Sequence, residues 1–209
     1  MNPNNGPSPL LDWAVAARAL PGQAVSGDRH LVRPYRNGVL VAVVDGVGHG
    51  DEAAAAARTA VATLSEYPTE PVIWLVKRCH QALAMSRGVV MTVASLHALE
   101  GTMTWVGVGN VEAILVRADT RANPATERVL LRGGLVGHQL PPLHASVIPV
   151  NSGDLLVFAS DGIRSDFLEH VGATADSPQQ VADRVLNQHF KGLDDALVLV
   201  ARYGGVRDG

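Results

Sequence analysis

The chain has 209 residues, of which 47% are hydrophobic and 18% charged, with a formal net charge of -3. That length suits one domain with a sizeable core, and the charge balance offers no electrostatic footing for nucleic acid or an anionic membrane surface. A single cysteine, Cys79, rules out an internal disulfide. No apolar run reaches the roughly 20 residues of a spanning helix, and the N-terminal residues lack a signal-peptide apolar core, so a cytoplasmic enzyme or binding domain is expected.

In chain order, the Asn-, Pro- and Gly-rich residues 1–10 predict a disordered tail, followed by a single domain over 11–204. Asp12 to Ala19 alternates apolar residues at period two and predicts a strand; Pro21-Gly22 ends it, and Ser26-Gly27-Asp28 places an acid in a tight loop. Gly38 to Val44 contains six consecutive apolar residues, four of them Val, and predicts a strand buried on both faces. It ends in Asp45 and the glycine-rich turn Gly46-Val47-Gly48-His49-Gly50. The alanine run Ala53 to Ala57 predicts a helix that starts near His49 or Asp51 and closes at Pro68.

Pro71 to Ser86 carries apolar residues at spacings of three and four and predicts a second helix, ended by Gly88. Strands are expected over Val89 to Leu99, Met103 to Val108 and Val111 to Val116, with Glu100-Gly101 and Gly109-Asn110 as hairpin-type turns. A polar loop over Arg117 to Glu127, a short strand at Val129 to Leu131 and a Gly/Pro loop over Gly133 to Leu143 follow. Ala145 to Val150 and Asp154 to Ser160 predict two more strands, the second ending in Asp161-Gly162. Ser177 before Pro178 predicts an N-cap for a helix to about His189, and Asp194-Asp195 feeds a last strand, Ala196 to Tyr203, before a frayed end at Arg207 to Gly209.

Four acid-bearing turns thus abut apolar strands: Asp28, Asp45, Asp161 and Asp194-Asp195. A charged carboxylate at the end of a buried strand is expensive unless a cation meets it. Hard oxygen ligands suit Mg²⁺ or Mn²⁺ rather than zinc. The eight histidines are scattered, and neither a nucleophile elbow nor a Walker motif is present. Gly46-x-Gly48 also fits part of a dinucleotide fingerprint, but its third glycine falls on Asp51, and two aspartates would repel a pyrophosphate.

Asp45-Gly46-Val47-Gly48-His49-Gly50, Ser160-Asp161-Gly162 and Asp194-Asp195, in that order, resemble the metal-dependent protein phosphatases of the 2C (PPM) type in their SpoIIE-like bacterial branch. Ser26-Gly27-Asp28 and Ser152-Gly153-Asp154 resemble further motifs of that branch, and the resemblance spans about residues 12–203. Arg87-Gly88 and Val108-Gly109-Asn110-Val111, together with the bare catalytic domain, look most similar to its RsbX-like stressosome phosphatases.

The resemblance implies an α+β fold, an αββα sandwich of two mainly antiparallel sheets flanked by helices. It implies a metal-dependent phosphoserine/phosphothreonine phosphatase using two Mn²⁺ or Mg²⁺ ions. Asp45 would bridge them, the Gly46 carbonyl would bind one, Asp161 and Asp194 would ligate the other, and Asp28 would act on bound water or a metal. His49 is a candidate general acid. Phosphorylated STAS-domain proteins are the implied partners, for a monomeric protein; the alternative is a catalytically weak binding module of the same fold in a partner-switching pathway. Two positions depart from the family pattern, Asn110 where many larger members have Asp and Leu197 where Thr or Ser is usual; for a phosphate clamp, Arg29 and Arg33 are the candidates.

Overall fold

The computed structural model describes residues 5–7, 10–23 and 25–205. Strands β1 (Asn5–Pro7), β2 (Leu11–Arg18), β3 (Asp28–Tyr35) and β4 (Gly38–Gly46) are followed by helices α1 (Asp51–Glu66) and α2 (Val72–Ala82). Then come β5 (Val89–His97), β6 (Thr102–Val108), β7 (Glu112–Val116), β8 (Thr126–Arg128), β9 (Leu131–Arg132), β10 (Ser146–Pro149) and β11 (Leu155–Ala159). Helices α3 (Phe167–His170) and α4 (Pro178–His189) and strand β12 (Ala196–Tyr203) close the chain.

The strands form two sheets. Sheet 1 runs β1-β2-β12-β11-β7-β8, and sheet 2 runs β10-β6-β5-β4-β3 with β9 added parallel to β6. All other pairings are antiparallel. Three apolar layers hold the sandwich together. Alternate residues of both sheets, among them Val41, Trp105, Phe158 and Leu199, fill the central layer. The opposite faces of β4 and β5 pack on α1 and α2, and those of β11 and β12 on α3 and α4. On α1 the buried stripe is almost all alanine, Ala53 to Ala60 with Leu64 beyond. Small side chains bring this helix close to the sheet: a Cβ on Gly46 would lie 2.1 Å from the Ala53 carbonyl oxygen. The αββα sandwich implied by the sequence is the fold observed.

Local details differ from expectation where tertiary context decides. Asp28, expected in a tight loop, opens β3, a strand the sequence did not announce; its sequence, DRHLVRPY, is polar because it is an edge strand paired only with β4. Gly109-Asn110 is no hairpin: β6 belongs to sheet 2 and β7 to sheet 1, so the turn carries the chain between sheets. The short strand expected at Val129 to Leu131 is two pieces, β8 and β9, one on each sheet. Helix α2 stops at Ala82, four residues before Ser86, and the one-turn helix α3 was not anticipated. Ser177 caps α4 as expected, in a capping box with Gln180. Asn5–Pro7, within the tail expected to be disordered, pairs with β2; the rest of that tail before Leu10, and the end at Arg207 to Gly209, lie outside the described residues.

At the end of the sandwich where β11 begins, Arg117 donates to the Pro149 carbonyl at 2.7 Å and to Asp154 at 3.1 Å, and also pairs with Glu127. Asp154 is 1% exposed and further accepts from the amides of Asn151 and Ala118. Removing one partner of a buried pair strands the other charge. Asp154→Ala is therefore expected to cost about 3–5 kcal/mol in a urea unfolding titration; a loss below about 1 kcal/mol, the surface-pair range, would contradict this role.

Candidate metal centre

Strand parity builds the site. On β4, Val39, Val41 and Val43 face the central layer while Leu40, Ala42 and Val44 face the helices. The two-residue period therefore turns Asp45 toward the space between the sheets. The β3–β4 register sets Asp28 directly opposite Asp45. From sheet 1, Leu156 and Phe158 point into the same layer, and the next residue in that series is Ser160. Its hydroxyl donates to Asp28 Oδ2 at 2.7 Å and accepts from the Leu197 amide at 2.9 Å. One serine thus ties both sheets together at the acid pair.

Asp28 is 3% exposed, and its Oδ1 is buried with no hydrogen-bond partner. Burial pushes its carboxyl up to about 7; the Ser160 hydrogen bond opposes this, and Asp195, Asp161 and Asp194 reinforce it. Asp45 is pushed up to about 9, by burial first and then by Asp28, Asp161, Asp194 and Asp195. Asp194 is also raised, chiefly by burial, with Asp161 and Asp195 adding repulsion while the Asp195 amide and His49 act against it. The acids expected from sequence to form one cluster therefore act on one another.

The remaining parts of the site divide between reach and support. Asp161 Oδ2 accepts from Asn110 Nδ2 at 2.8 Å, and its carbonyl accepts from Lys191 Nζ at 2.5 Å. Asn110 thus orients Asp161. Asp195, next to Asp194, plays a different part. Buried at 3% exposure, it accepts from the Leu20 amide at 2.7 Å and the Gly27 amide at 2.6 Å, clamping the β2–β3 loop. Gly46 closes β4 with its amide on the Gly27 carbonyl, 3.3 Å away. Gly48 and Gly50 take φ of 86° and 78°, a left-handed turn that leaves His49 exposed beside the cluster.

The two arginines considered from sequence do not serve the site. Arg29 Nη1 is spent on the carbonyls of Ser26 and Asp28, at 2.8 and 2.7 Å. Arg33 lies five residues along β3 from Asp28, about 17 Å at the usual strand rise. Leu197 is packed in the central layer, and Ser160 supplies the hydroxyl that a Thr or Ser there would have offered. Sequence reasoning had not singled out Ser160, Asn110 or Asp195 for these roles. Each lies within a motif already read, but a motif does not say which neighbour reaches outward and which braces.

Among the described residues, no three Asp, Glu, His or Cys side chains close on a single point. The arrangement is an open set of hard oxygen donors with one orphaned buried acceptor, Asp28 Oδ1. An unmatched buried acceptor is costly, and a divalent cation that keeps several waters, as Mg²⁺ does, would complete it. The residues present fit such an ion.

The raised carboxyls dictate how stability varies with pH without a cation. Asp28 and Asp45 bind protons more tightly folded than unfolded, so stability falls as pH rises from their unfolded value of 3.8 through about 7 and about 9. Metal-free protein should thus melt at a higher temperature at pH 5 than at pH 8, and Asp45→Asn should flatten that difference. A melting temperature that rises between pH 5 and pH 8 in the chelated wild type would overturn this reading.

The chain is similar to several known proteins. Over 94 residues the chain is 28% identical to phosphoserine phosphatase RsbX of Bacillus subtilis (strain 168), an alignment covering 45% of this chain and 47% of that protein. It therefore spans about half the length of the curated relative it matches. A chain solved in work on the bacterial stressosome, described as a modular system adapted to control secondary messenger signalling, superposes with a TM-score of 0.83 at 27% identity, covering 92% of this chain and 99% of that one. A crystal structure of RsbX in complex with magnesium gives a TM-score of 0.83 at 18% identity, over 96% and 98% of the two chains, a likeness of fold. Residues 35–204, most of the chain, match the family model described as Stage II sporulation protein E (SpoIIE), and the protein belongs to that family.

Proposed function

We infer that the protein is a metal-dependent phosphatase of phosphoserine or phosphothreonine in proteins. The observation that carries this reading is the Asp28–Asp45 pair, held opposed at the sandwich end with a buried, unpartnered oxygen and with Asp161 and Asp194 adding to the same field. No fold needs this repulsion for its own stability. Asp45, the Gly46 carbonyl, Asp161 and Asp194 would hold two Mn²⁺ or Mg²⁺ ions, with Asp28 beside them. When bound, such ions lower the pKa of a coordinated water and neutralise phosphoryl oxygens.

The chain's own residues do the rest. Ser160 orients Asp28, which accepts the proton of the attacking water; Asn110 fixes Asp161; and Asp195 keeps the β2–β3 loop in place. His49, exposed on the Gly48–Gly50 turn, donates a proton to the departing seryl or threonyl oxygen. The similarity to RsbX and to a stressosome-derived structure supports phosphorylated STAS-domain proteins as substrates, and the cytoplasm as compartment.

Two measurements check this. Chelator-treated protein should release no phosphate from p-nitrophenyl phosphate, Mn²⁺ should restore release, and Asp161→Asn should lower turnover beyond the roughly 10–100-fold that losing a hydrogen-bond partner of a ligand costs. Full activity without metal would sink the mechanism. With the host's kinase-phosphorylated STAS-domain proteins, mass spectrometry should show phosphate loss. Brisk turnover of other phosphoproteins alone would keep the phosphatase and discard that substrate.

A further inference from the structure

Among the described residues, Arg29 spends Nη1 on two backbone carbonyls, Lys191 Nζ is engaged by the Asp161 carbonyl and Arg33 is distant. A third arginine is better placed. Arg87 lies in the loop before β5, two residues from Val89, which pairs with Gly46 in the β4–β5 ladder. The Val47 amide donates to the Gly88 carbonyl at 3.2 Å, so this loop runs alongside the turn that follows Asp45. The guanidinium lies over that turn: a Cβ on Gly48 would sit 2.8 Å from Nη1.

Its restraint is weak. Nε donates to Glu52 in the first turn of α1, but the side chains are 51% and 69% exposed. A pair so exposed is worth about 0–1 kcal/mol and exchanges readily. Among the described residues the Nη groups have no hydrogen-bond partner. They border a cleft of about 390 Å³ between α1 and residues 85–87. A planar fork with two free donors suits the paired oxygens of a phosphoryl group.

We propose that Arg87 is the substrate-binding cation of this site, exchanging Glu52 for the phosphoryl oxygens of the phosphorylated residue. This rests on the phosphatase reading. Glu52 then acts as a competitor that parks the guanidinium beside the turn between substrates. The sign of its removal separates the proposal from a merely structural ion pair.

The test uses the full chain with saturating Mn²⁺, p-nitrophenyl phosphate and a phosphoserine peptide, with peptide Kd measured alongside by calorimetry. Arg87→Ala should raise KM and Kd by about tenfold or more, the range for a hydrogen bond to a charged group, with kcat changed by less than about threefold. Arg87→Lys should recover part of the loss, lacking the fork. Glu52→Gln should lower KM and Kd, by about twofold or more, because the competitor is gone. KM and Kd unchanged in Arg87→Ala, or raised alike in both the Ala and Gln variants, would overturn the proposal. If the wild type binds the peptide but hydrolyses nothing, the phosphatase reading falls, and the two Kd shifts still decide whether Arg87 binds the phosphate.

Discussion

Asp28 and Asp45 are cross-strand neighbours in an antiparallel ladder, turned toward the same interior at its end. Like charges directly opposite one another destabilise a sheet, and here burial removes the water that would screen them. The pair responds by holding protons more tightly, by burial first and repulsion from the neighbouring acids second, while the Ser160 hydrogen bond holds Asp28 back. Much of the surrounding structure is what keeps these groups together against that repulsion. A divalent cation bound there would relieve the conflict by its charge rather than by new packing.

Three polar braces do the holding, and each joins segments distant in sequence. Asp195 fastens the β2–β3 loop through two backbone amides. Ser160 bridges sheet 1 to Asp28 on sheet 2. Asn110, on the crossing between the sheets, steadies Asp161. The glycines around them are needed for contact: a Cβ on Gly162 would come within 1.9 Å of the Asp195 carbonyl oxygen. Asn110 thus orients Asp161, and the Ser160 hydroxyl accepts from the Leu197 amide.

Much of this was legible in the residues. The Val-rich run into Asp45 marks a strand buried on both faces, and its echo at Leu155 to Asp161 marks a second; both are interior strands of their sheets. Ser177 and Pro178 announce the start of α4, and the alanine run announces a helix that lies close to its sheet. What stayed hidden depends on partners far along the chain. β3 gave no strand signal because an edge strand needs few apolar residues. Gly109-Asn110 has the composition of a hairpin, but local chemistry does not specify which sheet the next strand joins. Asp194 and Asp195 are the same residue type side by side, and only the amides of Leu20 and Gly27 mark Asp195 as the brace. Arg87-Gly88 was read only as a mark of resemblance; the place of Arg87 beside the turn depends on β5 pairing with β4.

The most direct measurement of the account is a crystal of the protein grown with Mn²⁺ and measured at wavelengths either side of the manganese absorption edge. The account predicts anomalous density between Asp45, Asp161 and Asp194, close to the orphaned oxygen of Asp28, with waters completing the coordination. An ordered site with no anomalous density among those carboxylates, or manganese bound only elsewhere on the chain, would contradict it.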